Sequence, residues 1–242
     1  MTDLIKPPKS LLRCVGRAIK DYNMIKAEDK ILLGLSGGKD SLSLLHILLY
    51  VQKYSVLNFS LAVITVDPEI PGFDPSPLTA YLTPLNLPYW YCRQAIMHQA
   101  QHHLRGNSFC AYCARMKRGI MYATARQQGY NVLALAQHLD DLAESFLMSA
   151  FHEGRLHTMK AHYLNDAGDV RVIRPLVYAR ERQTAAFAQS AQLPVIADNC
   201  PSCFTQPTER QQMKTLLAQQ EQRYPHLFKN LLHAMQPLME QQ

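Results

Sequence analysis

A chain of 242 residues with 48% hydrophobic content can bury a sizeable core, as one large domain or two small ones, and its net charge of +6 suits a polyanionic partner without demanding one. No apolar run approaches the roughly 20 residues of a membrane span, and the first six residues lack the hydrophobic stretch of a signal peptide, so no membrane partner and a cytoplasmic location are expected. In that reducing compartment the six cysteines point to metal ligands or reactive thiols before structural disulfides.

Residues 10–27 place Leu11, Leu12, Val15, Ala18, Ile19 and Tyr22 at helical spacing, with Arg13, Arg17 and Lys20 opposite them, which predicts an amphipathic helix with a basic face. A strand over 30–35, a helix over 41–54 and a strand over 60–66 form a βαβ unit with an expected right-handed crossover. The segment 67–77 holds four prolines and a glycine, so it reads as a loop at the carboxyl edge of the sheet, where ligands bind in such folds. The pattern continues as a short helix over 78–86, a strand over 89–92, a loop and helix over 108–128, a strand over 131–136 and a helix over 138–152. A strand over 170–173, a helix over 181–192 and a closing strand at Val195-Ile196 complete the core, and from Thr208 the chain is helical and Gln-rich, with a break at Tyr224-Pro225. The expected class is α/β, a doubly wound, Rossmann-like parallel sheet. Its divisions are an N-terminal helical segment (1–28), a core (29–197) and a C-terminal helical extension containing cysteines (198–242).

Two stretches carry chemistry on the expected edge. In Ser36-Gly37-Gly38-Lys39-Asp40-Ser41 an apolar strand stops at a glycine pair before a helix. Both glycines can take φ > 0 and let backbone N–H groups approach an anion, and Ser36 and Ser41 add hydroxyl donors, so the turn suits phosphate; a plain tight strand-to-helix connection is the alternative. It is not the Walker loop, whose lysine stands beside a final hydroxyl. In the second stretch a strand ends near Ala136, and His138, Asp140, Asp141 and Glu144 follow at a helix start. Carboxylates there cap the helix dipole, and Asp141 also offers a hard oxygen to Mg²⁺ beside a nucleotide. For Glu144 capping and function weigh equally.

Cys110-Ala-Tyr-Cys113 and Cys200-Pro-Ser-Cys203 are two C-x₂-C pairs, a spacing that suits an iron–sulfur cluster, tetrahedral zinc, a redox dithiol or inert packing. Arg115, Lys117 and Arg118 follow the first pair and can hold triphosphate or RNA phosphate, unless they form a solvated helix face. Cys14 and Cys92 have no partner in the sequence and read as packing residues, and His98, His102 and His103 receive no role.

Taken together, SGGKDS, the first C-x₂-C with its Ala114-Arg-Met-Lys-Arg-Gly119, the Asp-Asp-x-x-Glu helix, Val172-Ile-Arg-Pro-Leu176 and the second C-x₂-C keep the motif order of one family. Over roughly residues 11–224 the chain resembles the TtcA family of tRNA 2-thiocytidine synthetases, within the PP-loop ATP pyrophosphatases. The resemblance implies a homodimeric ATP-dependent sulfurtransferase that adenylates a cytidine carbonyl in the tRNA anticodon loop and replaces its oxygen with sulfur. It implies ATP at Ser36, Gly37, Gly38, Asp40, Ser41 and Ala136, with Mg²⁺. It further implies a [4Fe–4S] cluster on Cys110, Cys113 and Cys200, with Cys203 spare, and Lys117 and Asp141 as catalytic groups. Arg13, Arg17, Lys20, Arg115 and Arg118 would contact tRNA, and sulfur would come from a cysteine desulfurase persulfide or free sulfide. Where the family carries Gly-His before the next histidine, this chain has Ala136-Gln137, and the alternatives are a diverged PP-loop enzyme with another substrate, lysidine-synthetase-like or transferring sulfur to a small molecule, and a nucleotide- and metal-binding sensor without turnover.

Overall fold

The computed structural model describes residues 4–103, 109–196 and 208–240. Its strands are β1 (Asp29–Gly34), β2 (Phe59–Asp67), β3 (Tyr89–Arg93), β4 (Val132–Ala134), β5 (His162–Leu164) and β6 (Arg171–Ile173). They form one sheet in the order β3-β2-β1-β4-β6-β5, parallel throughout except for β5, which pairs antiparallel with β6. The chain winds outward from β1 to β3, then returns to β4 on the other side of β1. The carboxyl ends of β1 and β4 are therefore the topological switch point, where an α/β sheet leaves a crevice.

The helices are α1 (Lys9–Asp21), α2 (Lys39–Tyr54), α3 (Ser76–Leu82), α4 (Ile96–His103), α5 (Phe109–Gln128), α6 (Leu139–Met148), α7 (Glu181–Ser190), α8 (Glu209–Arg223) and α9 (Leu227–Met239). Helix α6 runs on into one π-helical turn, Ser149–Glu153. Both faces of the sheet are covered, and alternate residues of β1 divide between them. Ile31 and Leu33 join a cluster that extends from Leu11 of α1 through Leu45 of α2 and Leu142 of α6 to Met235 and Met239 of α9. Leu32 faces the other way, onto Met121 and Ala125 of α5.

At the amino edge of the sheet, buried Asp29 accepts from Arg171 Nη2, from Asn131 Nδ2 at 3.0 Å and from the Lys26 N–H at 2.7 Å. One carboxylate thus ties β1 to β6 and to the turn before β4. A second knot holds the C-terminal helices. Arg180, before α7, donates to Glu221 of α8 at 2.6 and 2.8 Å and to Asp140 of α6 at 3.1 Å, and its guanidinium carbon lies 3.3 Å from the Phe228 ring centroid of α9.

Two expectations need correcting. Val195-Ile196 is not a strand: the Ile196 N–H donates to the Gly37 carbonyl at 2.9 Å and its side chain packs over Gly37, so this apolar pair covers the turn after β1 instead of extending the sheet. β5 is an additional strand, because three residues flanked by turns show no period, and only pairing with β6 makes them a strand.

Candidate active site

The turn after β1 is wound by its own hydroxyls. Ser41 Oγ donates to the Gly38 carbonyl at 3.0 Å and accepts from the Ser36 N–H at 3.2 Å, while Ser36 Oγ accepts from the Gly38 N–H at 3.2 Å. Gly37 has φ 85°, in the left-handed region, but Gly38 has φ −74° and caps α2 in an extended conformation. Only the first glycine uses the conformational freedom expected of both. A Cβ on Gly37 would meet Ile196 at 3.1 Å, whereas a Cβ on Gly38 would meet only Ser36 Oγ, at 3.4 Å. Gly38 therefore faces open space in front of α2, whose first-turn N–H groups receive no side-chain cap.

Across the crevice α6 begins with a reciprocal cap. The His138 N–H donates to Asp141 Oδ2 at 3.0 Å, and the Asp141 N–H donates to His138 Nδ1 at 3.3 Å. With Nδ1 accepting, the imidazole proton belongs on Nε2, which lies 3.7 Å from Asp40 Oδ2. Buried His138 thus joins the carboxylate of the phosphate turn to that of α6.

A cleft of about 420 Å³ lies between these turns, lined by Ser36, Gly38, Asp40, Ser41, Ile64, Val66, Ala114, Lys117, Arg118, Met121, Ala136, Gln137, Asp141, Met159 and Arg210, among others. The α5 residues 114, 117, 118 and 121 form one stripe at helical spacing. Cys110 and Cys113 continue that stripe one turn toward the start of α5, with Cys110 exposed and Cys113 half-buried. Two soft thiol donors at i,i+3 on the face that lines the cleft fit a thiolate-bound centre there. Cys200 and Cys203 lie outside the described residues.

Arg210, from the Gln-rich α8, carries no motif and is a site residue that the sequence does not flag. Its Nη1 lies 3.3 Å from Asp141 Oδ1 and 3.5 Å from Glu144 Oε2. Glu144 is buried, and burial together with the Asp141 charge pushes its carboxyl up to about 7 against the opposing pull of Arg210 and Lys214. Gln137 is also new to the site. Its Oε1 accepts from Arg174 Nε at 2.9 Å, while Arg174 Nη1 donates to the Lys160 carbonyl at 2.5 Å.

The cleft therefore gathers Ser36, Gly38, Asp40, Ser41, Ala136, Lys117, Arg118 and Asp141 from the expected set. Gly37 shapes the turn without lining the cleft, and Arg115 is exposed on another side of α5. Arg13, Arg17 and Lys20 are exposed on α1 and line no part of it; Arg17 lies 4.3 Å from the Tyr178 ring centroid. Among the described residues no helix is long and apolar enough to cross a membrane.

The PP-loop domain family ATP_bind_3 matches residues 11–221. A tRNA-cytidine(32) 2-sulfurtransferase of Geobacter sulfurreducens is 37% identical over 228 residues, covering 94% of this chain and 89% of its own. The protein of the same name from Salmonella paratyphi C is 37% identical over 236 residues, covering 97% and 75%. Among solved structures, the U34-tRNA thiolase NcsA from Methanococcus maripaludis, determined with its [4Fe–4S] cluster, superposes with a TM-score of 0.78 at 21% identity, over 97% of this chain and 79% of that one.

Proposed function

The chain belongs to the PP-loop family of tRNA-cytidine(32) 2-sulfurtransferases, and from that premise we propose that it is an ATP-dependent enzyme replacing the 2-oxygen of a tRNA cytidine with sulfur. The observation that carries this reading is the meeting, in one cleft, of an uncapped helix N-terminus behind Gly38 and the cations Lys117 and Arg118, with Cys110 and Cys113 one turn before them on the same helix.

A carbonyl oxygen is a poor leaving group, so it is first converted to a good one. The base oxygen attacks the α-phosphorus of ATP, and an oxygen–phosphorus bond forms as the bond to pyrophosphate breaks. The Ser36 hydroxyl and the N–H groups of the first α2 turn, that of Ser41 among them, hold the departing pyrophosphate, while Lys117 neutralises charge growing on the α-phosphate. Asp141, with Asp40 opposite, would hold Mg²⁺ through one or two oxygens, leaving the ion's remaining positions to phosphate and water. Ala136 packs beside the nucleotide, and Met121 and Met159 supply apolar wall.

Cys110, Cys113 and Cys200 would hold a [4Fe–4S] cluster, which when bound supplies an open iron position for the incoming sulfide. Ile196 is tied to Gly37 and Arg210 to Asp141, so the chain on either side of Cys200 is anchored at the cleft. Cys200 is four residues beyond Ile196, a reach of at most about 14 Å. Sulfur attack at C2 then expels AMP with the former carbonyl oxygen. We further assign tRNA phosphates to Arg115, Arg118 and the basic face of α1, sulfur supply to a cysteine desulfurase persulfide or free sulfide, and the working form to a cytoplasmic homodimer.

The test is reconstitution. Anaerobically loaded protein given ATP, Mg²⁺, sulfide and unmodified tRNA should form 2-thiocytidine, read by mass spectrometry of the digested RNA, with one pyrophosphate released per thiolation. Pyrophosphate release that tRNA does not stimulate, with no thionucleoside formed, would reject the assignment.

A further inference from the structure

Arg174 is 5% exposed and donates to the neutral oxygens of Gln137 and Lys160; Tyr163 is a further partner, with its ring centroid 5.3 Å from the guanidinium. Among the described residues no carboxylate pairs with it. Arg118 adds a like charge nearby, and burial with that repulsion pulls the Arg174 pKa down, opposed by Tyr163 and Tyr122. A buried cation without a counter-anion is costly, and here an amide that lines the cleft is one of its side-chain acceptors.

The arrangement settles which way the Gln137 amide points. Arg offers only donors, so the atom facing it must be the amide oxygen, and reversal would set NH₂ against N–H. None of the described residues accepts from Gln137 Nε2. The NH₂ group is thus left as a donor at the cleft and is polarised by the cation behind the carbonyl.

We propose that Gln137, locked by Arg174, reads the Watson–Crick edge of the target base by donating to the pyrimidine N3, and so admits cytidine and rejects uridine. This rests on the tRNA reading above. Cytosine N3 is a bare acceptor next to the reacting carbonyl, whereas uracil carries a proton there and would place donor against donor. A free glutamine amide would turn to accept from uracil; the amide held by Arg174 cannot. Gln137 is accordingly the specificity residue and Arg174 its positioning residue.

The test measures binding, which needs neither cluster nor turnover. Fluorescence anisotropy would compare two anticodon stem-loops that differ only in cytidine or uridine at position 32, with the wild-type protein, Gln137→Leu and Gln137→Glu. The wild type should bind the cytidine loop about tenfold more tightly, the order of one net hydrogen bond. Gln137→Leu should reduce the ratio to about one. Gln137→Glu presents only acceptors and keeps Arg174 paired, so the preference should turn toward uridine. Because each comparison is a ratio within one variant, a general loss of RNA affinity cancels. A preference for cytidine that persists in folded Gln137→Leu overturns this inference while leaving the enzyme assignment intact. A wild type that binds neither loop overturns the tRNA reading and this inference together.

Discussion

Lys39 Nζ lies 3.0 Å from Glu181 Oε1, across the packing of α2 on α7. A second bond, 2.9 Å to Asp40 Oδ2, completes its engagement. Burial alone would lower the Lys39 pKa, but these two carboxylates outweigh it and the pKa rises; on the other side, Lys39 and Lys214 hold the Glu181 carboxyl down to about 2 despite burial. The lysine of the phosphate turn thus serves the packing of the turn and does not line the cleft. The cations that line the cleft are instead Lys117 and Arg118 of α5 and Arg210 of α8.

The glycine pair separates binding from stability. Gly38→Val adds its side chain to open space, so the protein should fold, but the branches occupy the anion's position and ATP affinity should fall at least about tenfold, or about 1.4 kcal/mol. Gly37→Ala instead forces a Cβ into a left-handed residue and against Ile196, costing about 1–2 kcal/mol of stability. Isothermal titration with ATP and urea unfolding of both variants distinguish the two effects. Unchanged ATP affinity in folded Gly38→Val would remove the phosphate site.

Substitution of Cys110, Cys113 or Cys200 by serine should each abolish iron binding and the broad visible absorbance of anaerobic protein, because a cluster with three protein thiolates has none to spare. Cys203→Ser should keep both. Iron per chain by metal analysis is the measure, and a loss at Cys203 equal to that at Cys200 would indicate four protein ligands and no open iron.

Glu144 should make the fold less stable as pH rises. Its folded pKa of about 7 lies above the ordinary 4.5, so the native state retains a proton that the unfolded chain releases. The contribution is full below about pH 4.5 and is lost on passing through about pH 7. Arg210 and Lys214 limit it, and with screening at the cleft the change is on the order of 1–2 kcal/mol. Urea unfolding at pH 5 and pH 8 should show this slope in the wild type and a flatter one in Glu144→Gln.

Asp29→Ala should destabilise the protein by about 3–5 kcal/mol, since it strands the buried charge of Arg171 and frees Asn131 and the Lys26 N–H at the same time. The measure is the chemical-denaturation midpoint. A loss below about 1 kcal/mol would mean that solvent reaches this edge of the sheet.

Binding of tRNA should weaken steeply with salt, because each phosphate neutralised by a protein cation releases condensed counterions. Removing Arg118, or Arg13 and Arg17 on α1, should flatten the log–log salt slope by about one unit or slightly less for each phosphate left unneutralised. A slope unchanged by the α1 substitutions would confine the RNA footprint to the side of the cleft lined by α5.

The phosphate turn is legible in the sequence because its chemistry is local: six consecutive residues determine the strand end, the turn and the helix start. The cations after the first cysteine pair are legible as a group, but the helical period of α5 splits them, turning Lys117 and Arg118 to the cleft and Arg115 away. What escapes depends on distant chain. Arg210 lies in a polar helix with no apolar period or motif, and only the docking of α8 on α6 brings it to Asp141. Gln137 stands out in the sequence as a departure from the family pattern, but its orientation comes from Arg174, beyond the end of β6. Val195-Ile196 has the composition of a strand, yet tertiary packing on Gly37 decides its use.

The Arg180 knot bears on how the protein comes into being. Asp140, next to the capping Asp141, is held by a guanidinium whose other partners, Glu221 and Phe228, are among the later residues to be synthesised. On a translating ribosome the sheet and the phosphate turn can form while α8 and α9 are still unmade. During that interval the acidic wall of the cleft lacks both Arg180's outer anchors and Arg210. A nascent chain should therefore acquire a nucleotide-binding turn before it acquires a finished active site.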